Sequence, residues 1–226
     1  MNITLTVDTY KGVDGSSLSS IRCNQIVQVY EMFELLGNKL LTYIDIQEEA
    51  QKQQLFGETN AKSAIRTFFP LLKKIGFVNY DDTFRANECF TELGILFVLA
   101  CRAINNVSDK TPHKDIVLER LVNIKQCAQK QGLVEMYLNK EYENHNMWVA
   151  LKLLKAFTII NWNYFLYALH CLEIGFSLDD AIEEIKKVKD QIDTITFVNE
   201  EGEKLPNTCY SYIRSFLEEA GIIKKV

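Results

Sequence analysis

SAIRTFFPLLKKIGFVNY at residues 63–80 and CFTELGILF at residues 89–97 decide how this chain is read. Taken back to Asn60, the stretch spells a basic helix, a two-stranded hairpin and a new helix in immediate succession. Apolar residues recur at Ala61, Ala64, Ile65, Phe68, Leu72 and Ile75, the three-four spacing of one helix face. The opposite face carries Lys62, Ser63, Arg66, Thr67, Lys73 and Lys74. Asn60 is suited to accept a hydrogen bond from the unpaired amides of the first turn, and Gly76 to take the left-handed conformation that ends a helix. Pro70 removes one backbone bond inside the span and predicts a kink or a split near Phe69. Beyond Gly76, the residues Phe77, Val78 and Tyr80 suit a strand, Asp81 and Asp82 a turn, and residues 84–90 a returning strand. Thr91 then caps a helix through Leu93, Leu96, Phe97, Ala100, Cys101 and Ile104, with Glu92 in its positively polarised first turn.

These two segments resemble the winged helix-turn-helix family, in which a recognition helix, a wing and a helix opening on a Thr-Glu-Leu-Gly motif follow one another. The resemblance spans residues 18–104. It implies that residues 62–76 form the recognition helix and residues 77–90 the wing. Ile95 follows Gly94 where many members carry a basic residue, so no phosphate contact is implied there.

The rest of the first third completes a three-helix order. Ser17 or Ser19 caps a helix with Ile21, Ile26, Val29, Tyr30, Phe33 and Leu36 at helical spacing, closed by Gly37. Residues 40–44 suit a short strand. Asp45 with Glu48 forms a capping-box-like start for a helix through Gln54, and a short loop at residues 56–59 leads into the basic helix. Met1 to Val7 alternates as an edge strand would and does not resemble a signal peptide.

The polar stretch at residues 105–112 marks a boundary, giving a winged-helix domain at 1–106 and a helical domain at 107–226. Helices are expected at Ile116, Leu118, Leu121, Val122, Ile124 and Cys127, at Trp148, Leu151, Leu154 and Phe157, and at residues 162–174. The last of these is apolar nearly all round and belongs at the centre of a bundle. Ser177 and Asp180 start an amphipathic helix with Ile182 and Ile185 inward. Residues 195–199, a turn at Glu201 and Gly202, and Lys204 with Leu205 suggest a hairpin. SYIRSFLEEAGII at residues 211–223 then weakly echoes the basic helix, Ser211, Ile213, Arg214, Phe216 and Gly221 answering Ser63, Ile65, Arg66, Phe68 and Gly76. The expected fold is therefore mainly α with short β-hairpins: a winged helix, then a helical bundle ending in a second winged-helix-like unit. Glu218 and Glu219 replace Lys73 and Lys74 in that unit, which predicts poor contact with DNA and a role in holding protein.

Composition bounds the function. The 226 residues are 47% hydrophobic and 24% charged, enough to bury a sizeable core, and three prolines with ten glycines leave little room for low-complexity tracts. The longest apolar run, residues 94–101, falls far short of the roughly 20 residues that cross a bilayer, so a cytoplasmic protein is expected. Six scattered cysteines without a Cys-x-x-Cys pair, and only His113, His145 and His170 beside them, read as buried thiols rather than metal ligands. His170 reads as a hydrogen-bonded core histidine and His145 as an exposed one. No phosphate-binding Gly-rich loop, Gly-x-Ser-x-Gly elbow or His-Glu-x-x-His is present. Glu184 and Lys186 have the Glu-x-Lys form of nuclease sites, but Asp179 and Asp180 fall on the same helix, which is the wrong geometry. No cofactor and no enzyme activity are expected.

Net charge is -5, which opposes non-specific attraction to polyanions. Its distribution matters more. Residues 59–80 contain no acid while Lys62, Arg66, Lys73 and Lys74 are all present. The expected partner is double-stranded DNA, with Lys62, Ser63, Arg66 and Thr67 facing base edges and phosphates and Lys73, Lys74 and the wing residue Arg85 contacting backbone. Such a protein serves transcription control, or recognition in a restriction or phage-defence system, and dimerises or docks a partner through its helical part. The alternatives are a solvated basic face and an interaction scaffold without DNA binding.

Overall fold

The computed structural model describes residues 3–8, 17–57, 60–159 and 161–224. Met1 and the end of the loop expected at residues 56–59 lie outside them. The fold is mainly α, with 65% helix and only short strands. Among the described residues there are nine α-helices and four strands in two small sheets. The chain divides into two units, one of Met1–Asp14 with Lys140–Arg214, the other of Gly15–Asn139 with Ser215–Val226.

The larger unit opens with α1 (Ser20–Leu36), whose cap is Ser19, its hydroxyl accepting from the Arg22 amide. Gly37 ends it at φ 54°. The strand expected at residues 40–44 is shorter, β2 (Leu40–Leu41), because Thr42 already caps α2 (Tyr43–Lys52). The capping box pairs Thr42 with Asp45, three residues ahead of the expected start, and the two hydrogen bonds that Thr42 donates hold the Asp45 carboxyl below its usual range. α3 (Ala61–Lys74) begins as expected at Asn60, whose Oδ1 accepts from the Ser63 amide at 3.1 Å. It is not split: the helix runs unbroken through Pro70.

At its end the Gly76 amide donates to Lys73 O (3.0 Å) and the Phe77 amide to Leu72 O (2.8 Å), the paired bonds of a Schellman motif closed by Gly76 at φ 69°. The returning chain contributes β3 (Phe84–Arg85), which pairs antiparallel with β2, while Val78 and Phe90 meet in one bridge. The expected hairpin is thus a bridge at its base, with its outer strand recruited by β2. α4 (Glu92–Asn106) is capped by Thr91, whose hydroxyl both accepts from the Gly94 amide and donates to Gly76 O at 2.6 Å. Gly94 lies so close to the preceding segment that a Cβ there would stand 1.9 Å from Phe77 O.

α5 (Lys114–Leu138) packs along α4, so the boundary falls after residue 139 rather than at 106. The core of this unit is aromatic and branched: Ile26, Phe33, Ile65, Phe68, Phe69, Phe77 and Phe97 are essentially inaccessible.

In the smaller unit, β1 (Ile3–Thr6) pairs in parallel with β4 (Ile195–Val198), a partner almost the whole chain away. The hairpin expected at 195–205 is reduced to the bridge between Val198 and Lys204 around a turn at residues 199–202. α6 (Asn146–Phe157), α7 (Trp162–Glu173) and α8 (Leu178–Val188) pack on one another, with Ser177 and Asp180 forming the capping box of α8. Only one face of α7 is fully buried, at Phe165, Leu166, Ala168, Leu169 and Cys171, so it is less central than its composition implies. His170 is half-buried and its Nδ1 lies 2.8 Å from Thr6 O, which ties α7 to β1. His145 is exposed. α9 (Thr208–Glu219) follows.

All six cysteines are free thiols; Cys127 is exposed and the other five are buried. No helix among the described residues is long and apolar enough to cross a membrane.

Candidate nucleic-acid interface

The inward side of α3 is settled by its apolar spacing: Ala61, Ala64, Ile65, Phe68, Phe69, Leu71 and Leu72 are buried. The sequence-predicted residues Lys62, Ser63, Arg66, Thr67, Lys73 and Lys74 therefore share the outward side, but unequally. Ser63 and Arg66 are exposed, whereas Lys62, Thr67, Lys73 and Lys74 are half-buried. Thr67 spends its hydroxyl on Ser63 O at 2.8 Å, a bond back along its own helix.

Arg66 is held by α2. Its Nε donates to Oε1 of Gln47 at 2.8 Å, and Gln47, only 6% exposed, donates in turn to Tyr43 O at 3.3 Å. The partner of the guanidinium is thus a neutral amide, which orients it without cancelling its charge. Its remaining N–H groups are available for an anion, and Arg presents such donors in a fixed fork. Gln47 carries no signal of its own in the sequence; its place one turn after Tyr43 on the buried side of α2 is the clue that was there.

Lys73 is committed differently. Its Nζ donates to Tyr80 O at 2.6 Å and lies 4.5 Å from the centroid of the Tyr80 ring. It clamps the chain leaving α3 back onto the helix. Tyr80 stacks on Tyr43 at 5.7 Å with 5° between the ring planes, and Phe69 closes the group at 5.3 Å from Tyr80. Burial raises the Tyr43 phenol above its ordinary pKa, an effect the nearby Arg66 charge partly offsets. Around these rings lies an open cleft of about 640 Å³, lined by Tyr43, Ile44, Lys73, Tyr80, Asp81 and Asp82 among others. Sequence spacing missed this aromatic clamp, since Tyr43 and Tyr80 belong to different elements.

Arg85 sits in β3, exposed, with its Nε 3.9 Å from Glu88. An exposed pair at that distance is weak and leaves most of the charge to solvent. Asp81 and Asp82 are also exposed, so the turn between Tyr80 and Arg85 presents acid beside base. The structure thus brings Lys62, Ser63 and Arg66 together as an outward cluster on the first two turns of α3. It assigns Lys73 chiefly to holding the fold. Among the described residues no three His, Cys, Asp or Glu side chains are grouped to hold a metal.

No protein-family model, no curated protein and no solved structure matches this chain.

Proposed function

We propose that this protein binds double-stranded DNA through the outward face of α3, as a winged helix. The observation that carries the reading is Arg66: exposed, charged, and fixed in direction by a buried amide, with no carboxylate paired to it among the described residues. Lys62 and Ser63 flank it on the helix N-terminal side, where backbone dipoles also favour a phosphate. The order α1, β2, α2, α3, β3, α4 supports the same reading, because it offers α3 to a groove with a strand pair beside it. In this reading Arg66, Lys62 and Ser63 make the principal contacts, Lys74 and Arg85 touch backbone, and Lys73 acts by positioning. Transcription control, or recognition within a restriction or phage-defence system, is the role such a module fills.

Fluorescence anisotropy with a mixed-sequence duplex over a salt series tests the proposal. Arg66→Ala is expected to weaken binding several-fold and flatten the log-log salt slope by about one unit. Because that change also strips Gln47 of its partner, Ser63→Asp serves as a second variant: it adds a negative charge to an exposed position and should weaken binding without destabilising the fold. Unchanged affinity in both would overturn the proposal.

A second reading is favoured by exposed apolar side chains: Leu35 is 83%, Leu40 61% and Ile44 64% exposed. Here the same unit docks protein and DNA is not a ligand. It requires negligible duplex affinity even at low salt, together with a partner that co-purifies and adds mass in light scattering.

A further inference from the structure

The second small sheet ends in an edge that the chain itself leaves open. Successive residues of a strand direct their backbone groups to opposite sides. Val198 uses its carbonyl toward β1, accepting from the Val7 amide at 2.9 Å, and Asn199 donates away from β1 to Glu203 O at 2.9 Å. By alternation Ile195 and Phe197 also face away from β1. The segment after Lys204 would be their natural partner, but it leaves the strand at once: the bridge joins only Val198 and Lys204, and Pro206 cannot donate to a ladder. The Ile195 amide already donates to Ile192 O. The Ile195 carbonyl and the Phe197 amide, both turned away from the β1 ladder, have no backbone partner outside it among the described residues.

Beside this edge is a cleft of about 460 Å³. Its walls include Trp162 and Leu166 from α7, Phe197 from the strand itself, and Leu205. Trp162 is braced by Tyr210, with ring centroids 5.2 Å apart, and the next residue, Asn163, is fixed by a 2.7 Å hydrogen bond to Asp193. The apolar wall is therefore preformed. Lys204 lines the same cleft at the Val198 end and is the cation among its lining residues.

These features select an occupant. A parallel strand meets both groups with one residue opposite Thr196 and an antiparallel strand meets them with two; only the parallel one brings its C-terminus toward Lys204, so the charge there selects it. A strand so placed runs in the direction of β4 and meets Lys204 and Leu205 after about two residues, where the returning chain blocks further pairing. It must end there, and the group waiting at that end is an ammonium. We propose that this edge takes the free C-terminal segment of a partner protein as an added strand, with an apolar side chain against Trp162 and Leu166 and the terminal carboxylate at Lys204. The site lies in the smaller unit and stands independently of DNA binding.

The test uses the full chain and two fluorescent pools of random pentapeptides, identical except that one has free C-termini and the other is amidated. The free-acid pool should be retained, and members selected from it, ending in an apolar residue, should bind with Kd on the order of 10–100 µM. Amidating a selected peptide should weaken it about tenfold. Lys204→Gln should bring the acid to the level of the amide, and Trp162→Ala should abolish both. A third measurement leaves the protein untouched: N-methylating the peptide residue that pairs at Thr196 should eliminate binding, whereas N-methylating the next residue should not. No retention of either pool, equal binding of acid and amide, or indifference to the N-methyl group would each overturn the proposal.

Discussion

α3 finishes at Gly76 and α9 at Gly221, and in both the closing glycine has positive φ, 69° and 64°. The hydrogen bonds are also the same. Gly76 and Phe77 donate to Lys73 and Leu72; Gly221 and Ile222 donate to Glu218 and Leu217, at 2.9 Å each. The echo between residues 63–76 and 211–221 is thus real at the level of the helix stop. One helix supports both ends. Gly132 of α5 lets Ile75 O approach, since a Cβ there would stand 2.5 Å from it, and the Glu135 carboxylate lies over Gly76. Two turns earlier, Gln126 donates to Glu219 O at 3.2 Å and Lys125 lies 3.5 Å from the Glu219 carboxylate. What differs is the use made of the stop. After Gly76 the chain turns back to anchor α4 and keeps the basic face outward. The carboxylate at the end of α9, where Glu219 stands in the place of Lys74, is instead consumed by α5. A shared local motif fixes where a helix ends; the surrounding charge decides what that end is for.

The largest effect should come from filling the contacts that only the α3 end makes. Gly94→Ala places a methyl 1.9 Å from Phe77 O, a backbone atom that cannot rotate away. A cost of about 3 kcal/mol or more is expected, seen as a collapse of the urea midpoint or failure to fold. Gly132→Ala, at 2.5 Å from Ile75 O, should follow closely. If Gly94→Ala unfolds at the wild-type midpoint, the α3–α4 junction is not closed as described.

The two closing glycines sharpen the comparison at a smaller scale. Gly76→Ala and Gly221→Ala both incur the left-handed penalty of roughly 1–2 kcal/mol. At Gly76 the new methyl meets Glu135 at 2.6 Å, and at Gly221 it meets Gln126 at 3.0 Å, in each case a side-chain end. Similar losses in chemical denaturation are expected, with Gly76→Ala the worse by a few tenths of a kcal/mol. A gap beyond about 2 kcal/mol would mean that the two ends are not equivalent stops.

Much of this architecture is legible from sequence because caps are local chemistry. Asn60, Thr91 and Ser177 start α3, α4 and α8, and Gly37, Gly76 and Gly221 follow the ends of α1, α3 and α9, where residue type alone places them. The outward direction of Ser63 and Arg66 follows from helical period for the same reason. What spacing cannot give is any bond between distant elements. The Arg66 to Gln47 bond, the Lys73 clamp on Tyr80 and the parallel pairing of β1 with β4 depend on the assembled fold. Lys73 shows the consequence: its position points outward, yet a tyrosine seven residues on folds over it. The expected hairpins failed similarly, β3 being taken by β2 and the chain after Lys204 being turned away at Pro206.

Function provides the next contrast. Arg66 and Arg214 occupy corresponding places in the echo, and both are exposed. If α3 alone reads DNA, Arg66→Ala lowers duplex affinity while Arg214→Ala leaves both affinity and salt slope at the wild-type value. Equal losses would show that the basic α3 face has no special standing and that any exposed cation serves.

The smallest expected effect lies between the two ends, on the helix that serves both. Gln129 of α5 is fully buried, and neither its Oε1 nor its Nε2 has a hydrogen-bond partner among the described residues. It stands between the turn that carries Lys125 and Gln126 and the one that carries Gly132. A buried amide without partners costs stability, and an unbranched apolar side chain of similar volume removes that cost. Gln129→Met is therefore expected to stabilise by about 1 kcal/mol, read as a higher urea midpoint with an unchanged m-value. Because α5 braces the ends of both α3 and α9, the double variants with Gly76→Ala and with Gly221→Ala should both depart from additivity, to a similar extent and by about 0.5 kcal/mol or more. A destabilised Gln129→Met would show that this amide is satisfied in solution. Non-additivity with one glycine alone would mean that α5 supports one helix end and merely touches the other.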